Sequence, residues 1–272
     1  MGILAFAGKV ADHNDRAMSA VPVLATAIGH RLGVVPYFVG KPRAATNSGW
    51  KLELADAMAE LKELSAHLEK QFLNDVRPLL VLSRNAAALA TLPVVADRRP
   101  DAALIWVGAD ASLNTPATTR TGYLGGMVLT AVTGLWHSGL GAGVALSRIA
   151  LAGTRDIEPT ERYLTDSGAV GLIHASAQPI EHLRQFITGR PIFVHVSCDV
   201  LEPGIVPTDY KVPGGLSLHQ LKQLAHILAE HDVVGVEIAE LEEPAQPTGS
   251  HPSEVIADAL WPLISACRNP QL

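Results

Sequence analysis

Short apolar runs alternate along this chain with longer segments in which apolar residues recur at helical spacing. The runs have the length of strands and are apolar almost throughout, which is typical of strands buried on both faces. They occupy residues 2–7, 33–39, 79–82, 103–107, 148–152, 170–173, 192–199 and 233–238. Strands of this kind, separated by helices, predict a mainly parallel sheet that is covered by helices on both faces.

The helical segments are clearest at residues 52–72, 216–229 and 253–267. In the first of them, apolar residues share one face while Glu and Lys residues lie on the opposite face. The alternation therefore predicts an α/β protein with three α/β/α layers and right-handed crossovers. The chain has no repeat or linker, and 272 residues is an ordinary length for one α/β domain. We expect a single domain over residues 1–272.

Composition limits the possible binding partners of the protein and its cellular compartment. The net charge is −6 and both signs are interspersed, so the basic face of a nucleic-acid-binding protein is not expected. No apolar stretch approaches the roughly 20 residues that span a bilayer, and the first residues lack the basic region of a signal peptide. The two cysteines, Cys198 and Cys267, form no disulfide framework. These features predict a cytoplasmic protein without nucleic-acid or membrane partners.

Polar side chains that could take part in chemistry lie near the ends of two predicted strands. They are Asp110, Ser112, Ser197 and Asp199. Because the carboxyl ends of parallel strands meet at one edge of a sheet, these positions are expected to lie close together. Asp110 and Asp199 could hold one Mg²⁺ or Mn²⁺ weakly. Alternatively, both carboxylates only accept hydrogen bonds from backbone at the strand ends.

Alternation within residues 192–199 assigns the remaining side chains of this region. Ser197 and Asp199 are expected on one side of the strand, and His195 on the same side but deeper. His195 could orient an acid or be a satisfied core histidine. Cys198 is expected to point the other way and to be a buried thiol rather than a nucleophile.

Three segments carry a resemblance to a known family. They are Val81-Leu-Ser-Arg-Asn-Ala-Ala87, Trp106-Val-Gly-Ala-Asp-Ala-Ser-Leu-Asn-Thr-Pro116 and His195-Val-Ser-Cys-Asp-Val-Leu-Glu-Pro203. They resemble the arginase (ureohydrolase) family, in which Asp-Ala-His-Ala-Asp leads into Asn-Thr-Pro. The resemblance implies the arginase-like fold and a site for two manganese ions.

The same resemblance implies that the manganese site is degenerate. The family's ligand positions correspond here to Asn85, Gly108, Asp110, Ser112, Ser197 and Asp199. Two carboxylates, two hydroxyls and an amide are a poor ligand set for two divalent ions. We therefore expect no cofactor, with one weakly bound Mn or Mg ion as the alternative. The family's proton-relaying histidine corresponds to Gly125.

The positions that surround the substrate are better retained. By resemblance, Asn114, Thr119 and Thr121 contact the α-carboxylate of an amino-acid substrate, Glu158 its α-amino group and Glu240 its guanidinium. A carboxylate and a guanidinium form a bidentate, charge-assisted pair. The alternative is that these side chains only cap turns and helices. The resemblance thus implies a small arginine-like or amino-acid ligand.

Two functions remain open from the sequence. The first is a non-catalytic homologue, a pseudoenzyme or diverged protein that keeps the ligand pocket and assembles with itself or with an active relative. The alternative is an active hydrolase of guanidino C–N bonds, similar to arginase or to the amidinohydrolases that act on N-omega-hydroxyarginine. It would use a single-metal or metal-free site in which Asp110 and Asp199 act as acid and base beside Glu240.

Overall fold

The computed structural model describes residues 1–173, 179–246 and 249–268. In this part of the chain the strands are β1 (Gly2–Phe6), β2 (Tyr37–Val39), β3 (Pro78–Leu82), β4 (Ala103–Val107), β5 (Ile149–Ala152), β6 (Gly171–Ile173), β7 (Ile192–Ser197) and β8 (Val233–Ala239). They form one eight-stranded sheet in the order β2-β1-β3-β8-β7-β4-β5-β6. Every pair is parallel. The predicted parallel sheet is confirmed.

Helices cover both faces of this sheet. In chain order they are α1 (Arg16–Leu32), α2 (Trp50–Leu73), α3 (Ala88–Arg98), α4 (Val128–Val132), α5 (Arg162–Asp166), α6 (Pro179–Ile187), α7 (Leu218–Ala229) and α8 (Pro252–Arg268). Apolar residues of α1, α7 and α8 pack on one face, and those of α2, α3 and α4 on the other. An apolar core on each face of the sheet confirms the three-layer α/β/α fold. No helix in the described ranges is long and apolar enough to cross a membrane.

Two predicted strands differ from the observed strands by more than one residue at an end. The run at 33–39 gives only a short edge strand, since Gly33 adopts a left-handed conformation (φ 67°) and ends α1, a helix that the apolar pattern did not reveal. The run at 192–199 stops at Ser197, and Cys198–Val200 form a 3₁₀ turn. Strand alternation therefore does not extend to Asp199.

The strand order decides where a site can form. Strands β3, β8, β7 and β4 are consecutive neighbours in the centre of the sheet. All four are completely buried, so their carboxyl ends are held rigidly against one another. Segments that are far apart in the chain are therefore brought together at this edge.

Candidate functional site

A cavity of about 200 Å³ opens at the carboxyl edge of the central strands. Eight of the residues singled out from the sequence line it: Asn85, Asp110, Asn114, Thr119, Thr121, Glu158, Asp199 and Glu240. It also contains residues that the sequence did not indicate, namely His13, Tyr123, Asp156, Glu161, Asp209 and Tyr210. Seven of the lining residues carry a carboxyl group, and the described lining includes no Lys or Arg. The cavity is therefore suited to a cation.

Asp110 and Asp199 make the backbone hydrogen bonds that were one of the two alternatives left open, and both side chains also line the cavity. Asp110 Oδ2 accepts hydrogen bonds from the backbone N–H (3.1 Å) and the hydroxyl (2.9 Å) of Ser112. Asp199 Oδ1 accepts one from the N–H of Ala109 at 3.0 Å. Burial raises the pKa of both carboxyls, and the charge of Asp110 raises the pKa of Asp199 further. They accept backbone hydrogen bonds and still face the cavity.

The side chains expected at an α-carboxylate make hydrogen bonds that hold the loops of the cavity wall. Asn114 Oδ1 accepts hydrogen bonds from the hydroxyl of Thr118 in its own loop (3.1 Å) and from that of Thr160 in the segment after β5 (2.9 Å). Thr119 Oγ1 accepts from a backbone N–H three residues later (3.0 Å), and Thr121 Oγ1 from one two residues later (3.2 Å). The expected capping contacts are present, and all three side chains line the cavity.

Two glutamates at the cavity wall differ sharply in their surroundings. Glu158 Oε2 is buried and has no hydrogen-bond partner among the described residues. The Glu161 carboxylate accepts hydrogen bonds from the N–H groups of Leu113 (2.8 Å) and Glu158 (2.7 Å). Burial raises the pKa of Glu161 to about 7. Glu158 Oε2 can thus accept a hydrogen bond from a ligand, whereas the Glu161 carboxylate stabilises the two backbone segments of the cavity wall.

An aromatic ring occupies the surroundings of Gly108. A Cβ placed on Gly108 would lie 3.3 Å from Trp106 Nε1 and 3.5 Å from Ser197 Cβ. The Trp106 ring in turn stacks on His195, with centroids 3.6 Å apart and planes at 4°. Similarly, a Cβ on Gly125 would overlap the ring of Tyr123. Side chains at these two glycines would require the aromatic rings to move.

His195 belongs to a buried network beneath the cavity. Its Nδ1 lies 2.8 Å from Glu237 Oε1 and its Nε2 lies 2.9 Å from Asn85 Oδ1. Glu237 Oε2 also accepts from the Thr91 hydroxyl at 2.7 Å. His195 is therefore a satisfied core histidine. Cys198 is buried in the core on the other side of the sheet, as expected, and burial raises the pKa of its thiol.

A buried arginine that the sequence did not single out lies beside the cavity. Arg84 directly precedes Asn85 and is fully buried. Its Nε donates to Asp12 (2.9 Å), its Nη1 to Glu240 (3.0 Å) and its Nη2 to Glu242 (2.9 Å). A charged residue two positions after an apolar strand was the available signal. Its three partners could not be identified from sequence, because they come from distant segments.

Raised carboxyl pKa values predict a pH-dependent stability. Burial raises the pKa of Asp12 to about 6 and that of Glu161 to about 7, and it raises those of Asp110 and Asp199. In the unfolded chain such carboxyls titrate at about 4. The folded protein therefore binds these protons more tightly, and the stabilisation is complete below about pH 4 and is lost as the pH rises through 6 to 8.

We expect the free energy of unfolding to be higher at pH 5.5 than at pH 8 by on the order of 2 kcal/mol. Urea unfolding at several pH values measures this difference. Glu161→Gln should reduce it, because this residue then no longer titrates. A free energy of unfolding that increases from pH 5.5 to pH 8 would contradict the assignment.

Comparisons with known proteins agree with the family resemblance seen in the sequence. The model of the arginase family matches residues 45–265. The chain is 34% identical over 260 residues to the N(omega)-hydroxy-L-arginine amidinohydrolase of Streptomyces lavendulae, and the match covers 95% of each.

Solved structures agree with this match at the level of the fold. The arginase of Bacillus caldovelox superimposes with a TM-score of 0.82 at 19% identity, covering 100% of this chain and 98% of that one. The arginase of Entamoeba histolytica in complex with L-ornithine gives 0.79 at 16% identity, covering 98% of both.

Proposed function

Since the chain belongs to the arginase family, we propose that it binds a small cationic amino acid of the arginine or ornithine type without hydrolysing it. The observation that carries this proposal is the acidic cavity, whose described lining has seven carboxyl groups and no Lys or Arg. Six of these carboxyl groups remain when Glu240, which pairs with Arg84 behind the wall, is set aside. Such a site attracts cations and repels anions. The L-ornithine complex of the Entamoeba histolytica arginase supports a ligand of this class.

The cavity offers partners for each charged group of such a ligand. Asn114, Thr119 and Thr121 supply amide and hydroxyl groups for the α-carboxylate. Glu158 has a buried, unpartnered oxygen that suits the α-ammonium group. Asp110 and Asp199 are acidic partners for a cation at the end of the ligand side chain. Binding would relieve the electrostatic repulsion between these carboxyls.

Hydrolysis by two manganese ions is not supported by the side chains present. Gly108 has no side-chain atom that could bind a metal ion, and Asn85 Oδ1 already faces His195 Nε2. The Ser112 hydroxyl donates to Asp110. The described residues include no group of three or more His, Cys, Asp and Glu side chains arranged to hold a metal ion. This donor set does not fit two divalent cations, which need several carboxylates and imidazoles.

One observation favours an active hydrolase as the second candidate. The 34% identity to an amidinohydrolase extends over 95% of the chain. Asp110 and Asp199, with their raised pKa values, could exchange a proton with a guanidino substrate near neutral pH, with one weakly held ion or none. No described residue provides an evident means of activating water, and this candidate therefore ranks second.

Ligand binding can be tested by thermal unfolding. At a concentration of 100 times the dissociation constant, L-ornithine or L-arginine should raise Tm by about 5 °C or more. L-Glutamine, similar in size but without the side-chain charge, is the matched control and should have a much smaller effect. Equal shifts with all three ligands, or none, would contradict a cation-selective pocket.

Turnover assays then separate binding from hydrolysis. L-Arginine and N-omega-hydroxy-L-arginine are incubated with the protein in manganese and in chelator, and release of ornithine is measured. Absence of release in both supports the proposal. Release that needs manganese would establish a metal-dependent hydrolase, whereas release that survives chelator and is lost in Asp199→Asn would establish a metal-free one.

A further inference from the structure

Arg84 brings a permanent positive charge into the acidic edge of the sheet. Its side chain is completely buried, and its three guanidinium nitrogens each donate to a different carboxylate. These partners are Asp12, which follows β1, and Glu240 and Glu242, which follow β8. Their side chains are at most 4% exposed. Arg84 is thus the common partner of three carboxylates that have little access to water.

Glu240 is held on both of its oxygen atoms. Oε2 accepts from Arg84 Nη1 at 3.0 Å, and Oε1 accepts from the backbone N–H of Asn85 at 2.7 Å. Its backbone has a φ of 65°, an unusual value for a residue with a side chain. Such a conformation persists only where the surroundings enforce it. The two bonds to consecutive residues, Arg84 and Asn85, provide that constraint.

Charge balance explains why a cation is required here. Three carboxylates that meet in a buried place repel one another, and each loses hydration. Arg16 also pairs with Glu242, at 2.7 Å, but its side chain is 44% exposed and it reaches just one of these three carboxylates. Asp12 and Glu240 are bridged by Arg84. A planar guanidinium with donors in three directions is suited to this arrangement.

We propose that Arg84 is the resident cation of this site, that is, a positive charge supplied permanently by the protein. Its guanidinium neutralises Asp12, Glu240 and Glu242 in place of a dissociable cation, and it occupies one carboxylate oxygen of Glu240 from the protein interior. The protein then carries a fixed organic cation beside the positions at which the family's metal ligands are replaced. The inference does not depend on which ligand binds, and it goes beyond the proposed function.

The resident cation changes the role expected for Glu240. The sequence predicted that this carboxylate pairs with the guanidinium of a ligand. Since Arg84 already supplies a guanidinium to Glu240, a ligand cation has to be bound by the other carboxylates of the cavity. Asp110, Asp199 and Glu158 are the groups in position to do so.

Chemical rescue of Arg84→Ala tests this proposal. The variant retains three buried carboxylates and has a void where the guanidinium lay. We expect its Tm to fall by on the order of 10 °C or more. Methylguanidinium chloride at millimolar concentrations should raise the Tm of the variant by about 5 °C relative to equal sodium chloride, and leave the wild type unchanged.

Arg31→Ala is the matched control. Arg31 also pairs with two carboxylates, Glu254 and Asp258, but at the protein surface. Methylguanidinium should not restore its stability, because a site open to water holds the ion poorly. Rescue of both variants would indicate a general salt effect and overturn the proposal, as would rescue of neither.

A second measurement covers the case in which Arg84→Ala does not fold unaided. Refolding from urea should then give several-fold more native protein with methylguanidinium than with sodium chloride. The double variant with Glu240→Gln should fold better than Arg84→Ala, because one unpaired carboxylate is removed; no gain in either experiment rejects the resident cation. Ligand-induced stabilisation of the wild type reports separately on the proposed function, so that each can fail alone.

Discussion

Replacing Glu237 with alanine is expected to lower the free energy of unfolding by about 3–5 kcal/mol. The carboxylate is fully buried and binds His195 Nδ1 at 2.8 Å and the Thr91 hydroxyl at 2.7 Å. Its removal leaves His195 Nδ1 without a partner and the Thr91 hydroxyl with only a long 3.4 Å contact to Ala88 O, and it opens a void beneath the cavity. Urea unfolding, with the midpoint and slope determined for both proteins, measures the loss.

A surface glutamate provides the control for this prediction. Glu254 also lies in an ion pair, with Arg31, but its side chain is 50% exposed. Glu254→Ala should therefore cost no more than about 1 kcal/mol. If Glu237→Ala and Glu254→Ala lower the free energy of unfolding by similar amounts, the buried network of Glu237 does not stabilise the protein beneath the cavity.

The second large effect is expected on ligand binding. Asp199→Asn should weaken the binding of L-ornithine by about 30-fold or more, since loss of one charged partner in a buried site costs about 2 kcal/mol or more. The asparagine Oδ1 can still accept the hydrogen bond from Ala109, so the turn is retained. Isothermal titration calorimetry at pH 8.5, above the raised pKa of Asp199 of about 8, measures the change in the dissociation constant.

The same substitution should act on stability in the opposite direction. Burial raises the pKa of Asp199, so its ionised form is unfavourable in the folded protein. At pH 8 the neutral asparagine should raise the free energy of unfolding by about 1 kcal/mol or more. Asp101→Asn, at an exposed carboxylate that pairs with Arg99, should change ornithine binding little. Weaker binding accompanied by lower stability would indicate simple structural damage instead.

Several site residues could be predicted because each lies within three residues of the end of a strand or in a segment matched to a family motif. Asp110 follows β4, Asp199 follows β7, and Glu240 follows β8. Asn114 and Glu158 lie in loops with a recognisable motif. The order of these segments in the chain was sufficient to place them at one cavity, while their roles toward a ligand stay predictions.

Other contacts could not be predicted, because no local sequence pattern indicates which distant residues meet. Arg84 lies 72, 156 and 158 residues from Asp12, Glu240 and Glu242, and His195 lies 110 residues from Asn85. The position of Asp199 was also affected, because the strand that would have set its direction by alternation ends at Ser197.

The type of fold, and the edge of the sheet that carries the polar residues, could be inferred from the order of amino acids, because apolar runs and helical spacing depend on neighbours in the chain. Which charges meet is set by the packing of the folded chain. The adjacency of β3 and β8 brings Arg84 to Glu240, and a left-handed backbone at Glu240 completes the contact. Ion pairs depend on distances in space, and those distances exist only after the strands have paired and both faces of the sheet are covered.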